Sequence, residues 1–331
     1  MARIFVAGFE GGDSDVTKFT TVSGATVVSS SGLSMDGSYC LRLGGSLTGY
    51  ASLAVTSDDE MYAAFLFRKE NGSTSGMISF FSGTTPIASL LSLTGTELLA
   101  AYMGTGTFLA LSAISLAEDT TYLIEVYYKL ADSGGRFSVK VNGISAFDFT
   151  GDTKPGADST FNIIKFGYNS SMAAVYGNAV YDNIILDTTS WIGKTYIQKI
   201  VPDGAGATTN FTASTGANYT CVDEVPAVTT DYVYSNTNNH VDTYTAGALT
   251  GTIGTIKSVS VNAYAIKEGS ATPQNLQLVT RPGSTDRVSA SVAIPTSYAV
   301  LQGIWEVNPD TSAAWAESEV NATEIGVKVV A

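Results

Sequence analysis

Paired carboxylates on one strand face are the chemistry that a β-sandwich glycan hydrolase needs, because one protonates the leaving oxygen while the other attacks or stabilises. The sequence holds no Glu-x-Asp-x-x-Glu or Glu-x-Asp-x-Glu run. Glu125 stands alone in "TYLIEVYYKL", and "SDDE" at 57–60 precedes a predicted strand. The pattern therefore predicts no hydrolase, and we expect no catalytic residues.

The single histidine, His240, lies in the polar run "SNTNNHVDTY". Asp242 would share its strand face, but no candidate nucleophile for a Ser-His-Asp triad is evident nearby. One histidine cannot form a histidine metal centre. The sequence also lacks GxxxxGK[ST], GxGxxG and CxxC, the motifs of nucleotide, dinucleotide and zinc sites. We interpret His240 as an exposed loop residue.

Aromatic rings stack on the apolar faces of sugars, and the chain has 17 tyrosines but only three tryptophans. Trp305 alternates with apolar residues in a predicted core strand, and Trp191 lies at a predicted domain join. Trp315 lies in the segment "NPDTSAAWAESEV". Packing explains these three rings better than ligand binding does.

Composition excludes several classes of function. The 331 residues carry a formal charge of −13, and Lys and Arg are scattered singly, so no basic face for nucleic acid is predicted. The sequence contains no run of 18 apolar residues, so no membrane span is predicted.

The opening "MARIFVAGFEGGDSD" does not resemble a signal peptide, which predicts cytoplasmic synthesis. Cys40 and Cys221 are predicted to be reduced, buried thiols.

The elements that must position any site are strands. In "TYLIEVYYKLADSGGRFSVKVNG", Ile124 and Val126 share one face while Glu125 and Lys129 share the other, and similar alternating runs recur between Gly, Asn, Asp and Ser clusters. Asn142-Gly143 is typical of a tight hairpin. A Gly/Ala/Thr-rich stretch follows Leu186. We predict an all-β chain of two β-sandwich (jelly-roll) domains, at 1–190 and 191–331, with a helical turn or two in "SAAWAESEVNATEIG".

The first 190 residues resemble concanavalin A-like, laminin G-type jelly rolls. The segments that carry the resemblance are "FVAGFEGG", "GSYCLRL" at 37–43, "EMYAAFLFRKE", "YLIEVYYKL", "SVKVNG" and "VYDNIILD" at 180–187. Laminin G relatives often hold Ca²⁺ on loop carboxylates and carbonyls. The resemblance therefore leaves Ca²⁺ open as the only cofactor, with four candidate pairs: Asp13 and Asp15, Asp58 and Asp59, Asp148 and Asp152, and Asp182 and Asp187. Solvated turn carboxylates are the alternative for each.

The remainder resembles the second half of bacteriophage virion proteins in which a sandwich ends in Pro-x-Thr-x-x-x-Trp and then Gly-Val-Lys. Here Pro309, Thr311 and Trp315 precede "GVK" at 326–328. The resemblance implies a non-enzymatic structural protein of the virion surface, head or tail that acts by assembly with its own copies, preferably as a trimer, and with other virion proteins. The alternative is an adhesin of the same particle that binds host surface glycans. A polysaccharide depolymerase has the least support.

Overall fold

The computed structural model describes residues 2–33, 35–44, 49–71, 73–167, 178–269 and 275–331. The chain divides into two compact units, Ala2–Ile197 and Gln198–Ala331, so the division lies beyond the join predicted near residue 190. Antiparallel β-sheets dominate both units, which confirms the predicted all-β sandwich fold. Among the described residues, no helix has the length and hydropathy needed to cross a membrane.

The strands of the first unit are β1 Arg3–Ala7, β2 Thr21–Ser23, β3 Ala25–Ser29, β4 Tyr39–Leu43, β5 Tyr50–Asp58, β6 Glu60–Lys69, β7 Ser75–Ser82, β8 Thr85–Ser92, β9 Leu98–Met103, β10 Thr107–Ser115, β11 Thr121–Lys129, β12 Gly135–Val141, β13 Ile144–Gly151, β14 Phe161–Gly167 and β15 Ala179–Asp187. A 3₁₀ helix spans Gly12–Lys18. We call the sheet ordered β10-β9-β8-β7-β14-β5-β2 the front sheet. The back sheet runs β13-β12-β11-β6-β15-β4-β3, with β1 also paired to β15.

Strand alternation sends apolar residues of both sheets into one shared core. Val126 and Tyr128 of β11 point inward from the back sheet, and Phe80 of β7 meets them from the front sheet. The rings of Phe80 and Tyr128 stack with centroids 4.7 Å apart. Burying each such side chain stabilises the fold by about 1.5–3 kcal/mol. The buried Tyr128 hydroxyl donates to the Thr153 carbonyl at 2.8 Å, so it carries no unpaired polar atom into the core.

The predicted hairpin is confirmed at Asn142-Gly143, which joins β12 to β13. Both residues have positive φ, 50° and 81°, as the favoured two-residue turn requires. The Asn142 side-chain oxygen also accepts the Leu123 backbone N–H at 2.9 Å, which ties the turn to β11.

The strands of the second unit are β16 Pro202–Thr209, β17 Thr212–Ala213, β18 Val233–Tyr234, β19 Val241–Ala246, β20 Val259–Ala265, β21 Asn275–Arg281, β22 Arg287–Val288, β23 Val292–Ala293, β24 Ala299–Trp305 and β25 Glu324–Val330. A 3₁₀ helix spans Asn218–Cys221, and α1 spans Glu317–Asn321 within the segment predicted to be helical. The main sheet has the order β16-β19-β25-β21-β22, with β23 beside β21. Smaller sheets pair β17 with β18 and β20 with β24.

A separate core fills the second unit, where Val261 and Leu301 from β20 and β24 pack with Leu276 and Leu278 of β21. Trp315 is buried, and its indole N–H donates to the Trp305 carbonyl at 3.0 Å. Packing in the second unit therefore accounts for Trp305 and Trp315. Cys40 and Cys221 are both free and buried.

Candidate functional site

A row of side chains crosses the front sheet perpendicular to its strands. Strand pairing brings the members of this transverse row into register, one from each neighbouring strand. In spatial order they are Ser52 on β5, Lys165 on β14, Ser79 on β7, Ser89 on β8, Tyr102 on β9 and Phe108 on β10. From Lys165 onward the row thus runs from a cation through two serine side chains to two aromatic rings, and Ser52 lies on the other side of the cation.

The transverse row lies on the face of the front sheet that points away from the core. Ile164, Phe80 and Leu90, each adjacent in sequence to a member of the row, belong to the core between the sheets. Because successive side chains of a strand point to opposite faces, Lys165, Ser79 and Ser89 point outward.

The middle of the row is recessed. Ser79 and Ser89 are 1% and 3% exposed, whereas Phe108 at one end is 55% exposed. A serine side chain is far shorter than the lysine and tyrosine that neighbour it in the row. The two serine side chains therefore lie lower than the longer side chains on either side of them, and we call the stretch of the row from Lys165 to Tyr102 the trough.

Lys165 forms one end of this trough and contacts two aromatic rings. Its Nζ atom lies 4.2 Å from the Phe81 ring centroid and 5.3 Å from the Tyr50 ring centroid. Within the described residues no carboxylate forms an ion pair with Lys165. Burial disfavours the charged ammonium and lowers the pKa of Lys165 below its usual range.

Tyr102 and Phe108 form the other end. Their ring centroids are 5.8 Å apart, and their planes cross at 73°. This edge-to-face contact fixes both rings, while the exposure of Phe108 leaves apolar surface open to solvent. An exposed, immobilised ring beside hydroxyl groups is suited to stack against the apolar face of a sugar.

The outer face of the back sheet also carries aromatic and charged residues, but these groups satisfy one another. Trp191 packs edge-to-face on Tyr62 and Tyr127, and the Lys140 ammonium lies 3.8 Å from the Trp191 ring. The Tyr127 hydroxyl donates to Glu60 at 3.1 Å, and burial together with this carboxylate raises the pKa of Tyr127. A tyrosine held protonated in this way is unsuited to act as a base.

The sequence candidates for acid–base chemistry lie apart from the transverse row. Glu125 is buried on the outer side of the back sheet, where it accepts the Gly193 backbone N–H at 2.8 Å. This carboxylate thus has a local structural partner.

His240 lies in a loop, as predicted, but it is half-buried rather than exposed, and its Nδ1 lies 2.9 Å from the Ser235 hydroxyl. Asp242 does not complete a triad, since it accepts from Asn218 and from the Tyr244 hydroxyl, both at 2.7 Å. Ser235 precedes His240 by five positions, and no sequence motif links residues at that spacing.

Most of the acidic pairs proposed for Ca²⁺ have other partners. Asp15 contacts Lys18 at 3.0 Å, and Asp148 pairs with Arg136 at 2.7 Å. Asp58 and Asp152 accept backbone N–H groups of their own turns. Asp187 pairs with Arg3 across 3.5 Å. Among the described residues, no three His, Cys, Asp or Glu side chains converge as a complete metal site.

Asp182 is different. Its side chain is fully buried, and its Oδ2 atom has no hydrogen-bond partner of good geometry within the described residues. Burial raises the pKa of Asp182 to about 8, and the negative charges of Asp36 and Glu10 act in the same direction. Asn183 donates to Asp36 at 2.8 Å, which holds that carboxylate nearby. Calcium accepts backbone carbonyls as well as carboxylates, so Asp182, with Asp36 nearby in place of Asp187, is the remaining candidate for an acidic calcium ligand.

No protein-family model matches the chain, and no curated protein matches it. The solved structures that are similar to the chain include the following three. Alginate lyase Aly36B is 15% identical, with 57% of this chain and 95% of that chain covered and a TM-score of 0.35. Cellulose-induced protein Cip1 is 15% identical, with 58% of this chain and 100% of that chain covered and a TM-score of 0.44. A Bacillus subtilis protein with a galectin-like fold is 13% identical, with 57% of this chain and 96% of that chain covered and a TM-score of 0.42.

The main functional prediction, a non-enzymatic virion structural protein acting by assembly, is wrong. The likenesses are to an alginate lyase, a cellulose-induced protein and a galectin-like fold, and they agree better with the alternative of glycan binding. The residues of the transverse row are far apart in the sequence, so the sequence patterns did not group them. With TM-scores below 0.5, these likenesses carry no argument about the ligand, which must come from the side chains themselves.

Proposed function

We propose that the chain is a carbohydrate-binding protein and that its first unit holds a glycan along the transverse row. The observation that carries the proposal is the registered sequence of Lys165, Ser79, Ser89, Tyr102 and Phe108 across one outward sheet face. Sugar recognition needs rings for the apolar faces of the pyranose and polar groups for its hydroxyls, and the row offers both.

The trough positions a glycan by shape. Phe108 and Tyr102 contact one sugar from the side, and the short serines leave room for the chain to continue toward Lys165. Adjacent strands lie about 4.8 Å apart, so the three strand steps from Tyr102 to Lys165 span about 14 Å, the length of a short oligosaccharide. The site therefore fits the interior of a glycan chain.

We propose binding without cleavage. Asp and Glu are absent from the described members of the transverse row, so the row offers no carboxylate pair for glycoside hydrolysis. Glu125, the isolated strand carboxylate, lies on the other sheet and accepts a backbone N–H.

Titration calorimetry with neutral and acidic oligosaccharides tests the proposal. We expect the intact protein to bind at least one class, and Phe108→Ala or Tyr102→Ala to weaken binding by about tenfold or more, because each change removes one of the two aromatic rings that contact the sugar. Tyr232→Ala is the matched control, since Tyr232 is 45% exposed but belongs to the second unit. Unchanged affinity in both front-sheet variants, or no binding to any glycan, contradicts the proposal.

Two further expectations stay predictions. Self-association, with a trimer preferred, is tested by light scattering of the purified protein, for which a monomer at all concentrations is the contrary result. A location on a virion is tested by imaging intact particles. Neither expectation enters the argument for glycan binding.

A further inference from the structure

We propose that Lys165 is the subsite for a sugar carboxylate, so that the preferred glycan contains uronic acid residues. This inference rests on the proposed function and adds the chemical class of the ligand.

Ion pairing of the lysine and arginine side chains differs within the first unit. Arg42 pairs with Glu70 at 2.8 Å and Arg68 pairs with Asp119 at 2.9 Å, whereas Lys140 and Lys194 contact aromatic rings. Lys165 has no carboxylate partner among the described residues, although it is half-buried in the middle of a sheet face. Burial lowers the pKa of Lys165, which indicates that its ammonium is partly desolvated. An anionic ligand would supply the missing charge.

The surroundings of the Lys165 ammonium also favour an anionic ligand. The rings of Phe81 and Tyr50 contact it and favour the cation, but neither ring carries a formal negative charge. An ammonium has three N–H donors, which a carboxylate can accept as charge-assisted hydrogen bonds. Ser52 lies beside Lys165 in the row, so a hydroxyl is available next to the charged pair.

The position of Lys165 in the row places it within reach of a glycan that contacts the rings. Lys165 lies at the opposite end of the trough from Tyr102 and Phe108, and all three are in register on one face. A glycan stacked on the rings therefore presents a later sugar to the ammonium. A single lysine carries one positive charge, which matches one sugar carboxylate.

The net charge of −13 opposes acidic polymers at long range but not within the site. Charges separated by more than about 8 Å are largely screened at physiological ionic strength. A carboxylate in contact with Lys165 is attracted at a much shorter distance, where screening is weak. Local attraction therefore decides the preference for short acidic oligosaccharides.

The experiment compares uronic acid oligosaccharides, such as oligogalacturonate, with their carboxyl-reduced forms, which keep linkage and shape but lose the charge. Calorimetry on the full chain should give about tenfold tighter binding to the acidic form. Lys165→Met should bind both forms equally, and Lys165→Arg should restore the preference. Tyr102→Ala should weaken both forms to the same extent.

The outcomes separate this inference from the proposed function. If the protein binds neither form nor any other glycan, the proposed function fails. If it binds both forms equally, or binds sulfated neutral glycans more tightly than uronic acids, only the carboxylate subsite fails. Thermal unfolding checks that the variants are folded. Salt dependence of the wild-type affinity, present for the acidic form and weak for the reduced form, gives a readout that needs no variant.

Discussion

The Nζ atom of Lys165 lies 4.2 Å from the centroid of the Phe81 ring on the outer face of the front sheet. Phe81 is 1% exposed although it points away from the main core, since the lysine helps to cover it. The ring thus serves stability, while the ammonium above it is available to a ligand.

This division of roles predicts different stability costs. Phe81→Ala should lower the free energy of unfolding by about 3–5 kcal/mol, because it removes a buried ring. Lys165→Met should change it by less than about 1 kcal/mol, because a cation–π contact of this kind is weak and the methionine stem still covers the ring. Urea unfolding followed by circular dichroism measures both. An equal loss in the two variants would show that Lys165 has a mainly structural role.

The fold was predictable because strand alternation is local. Ile124 and Val126 share one face of their strand by sequence spacing alone, and Asn142-Gly143 specifies its hairpin through two residues that tolerate positive φ. Turn and strand preferences of this kind act over a few residues, so the sequence reveals them. The order of strands in a sheet depends on long-range packing and is not visible in the same way.

The candidate site was not predictable for that reason. Lys165 and Ser79 are far apart in the sequence and become neighbours only because β14 pairs with β7. The same holds for Asp182 and Asp36, whose proximity depends on a loop brought to the last strand of the first unit. The acidic pairs predicted from the sequence are close along the chain, whereas the fold brings Asp182 near Asp36, which is far from it in the sequence.

Calcium should stabilise the first unit through Asp182. Adding Ca²⁺ in large excess over its dissociation constant is expected to increase the free energy of unfolding by about 2–3 kcal/mol, since the ion binds the folded state. Asp182→Asn should abolish the response, because the buried Oδ2 atom then no longer supplies a charge. Differential scanning calorimetry with Ca²⁺ and with a chelator measures the shift.

Asp148→Asn is the control for calcium, since Asp148 pairs with Arg136 at the surface and should leave the response intact. A response that survives Asp182→Asn, or no response in the wild type, would exclude this site as the calcium ligand set.

We expect the folded state to depend on Glu97, because its carboxylate compensates the charge of the buried Lys69. Lys69 is 1% exposed, and its ammonium contacts Glu97 and the Leu93 carbonyl. Glu97→Gln is expected to cost about 3–5 kcal/mol, because it leaves a buried charge uncompensated. The double variant Lys69→Met with Glu97→Gln should recover much of this loss.

Chemical unfolding of the single and double variants measures the coupling between Lys69 and Glu97. Asp119→Asn is the control, since Asp119 is an exposed partner of Arg68, and it should cost less than about 1 kcal/mol. Strictly additive effects of Lys69→Met and Glu97→Gln would contradict an energetic link between the two side chains.

Glycans bound on the transverse row should remain uncleaved. Hydrolysis needs a carboxylate pair, which the described members of the row do not contain, and Tyr127 is held protonated on the other sheet by burial and by Glu60. We expect mass spectrometry to detect no shortened products after prolonged incubation with neutral glucans, alginate or oligogalacturonate. An eliminative mechanism would instead use Lys165 or Tyr102 as a proton carrier. Product formation that disappears in Lys165→Met or Tyr102→Phe, while glycan affinity persists in the tyrosine variant, would therefore show that the binding face is an active site.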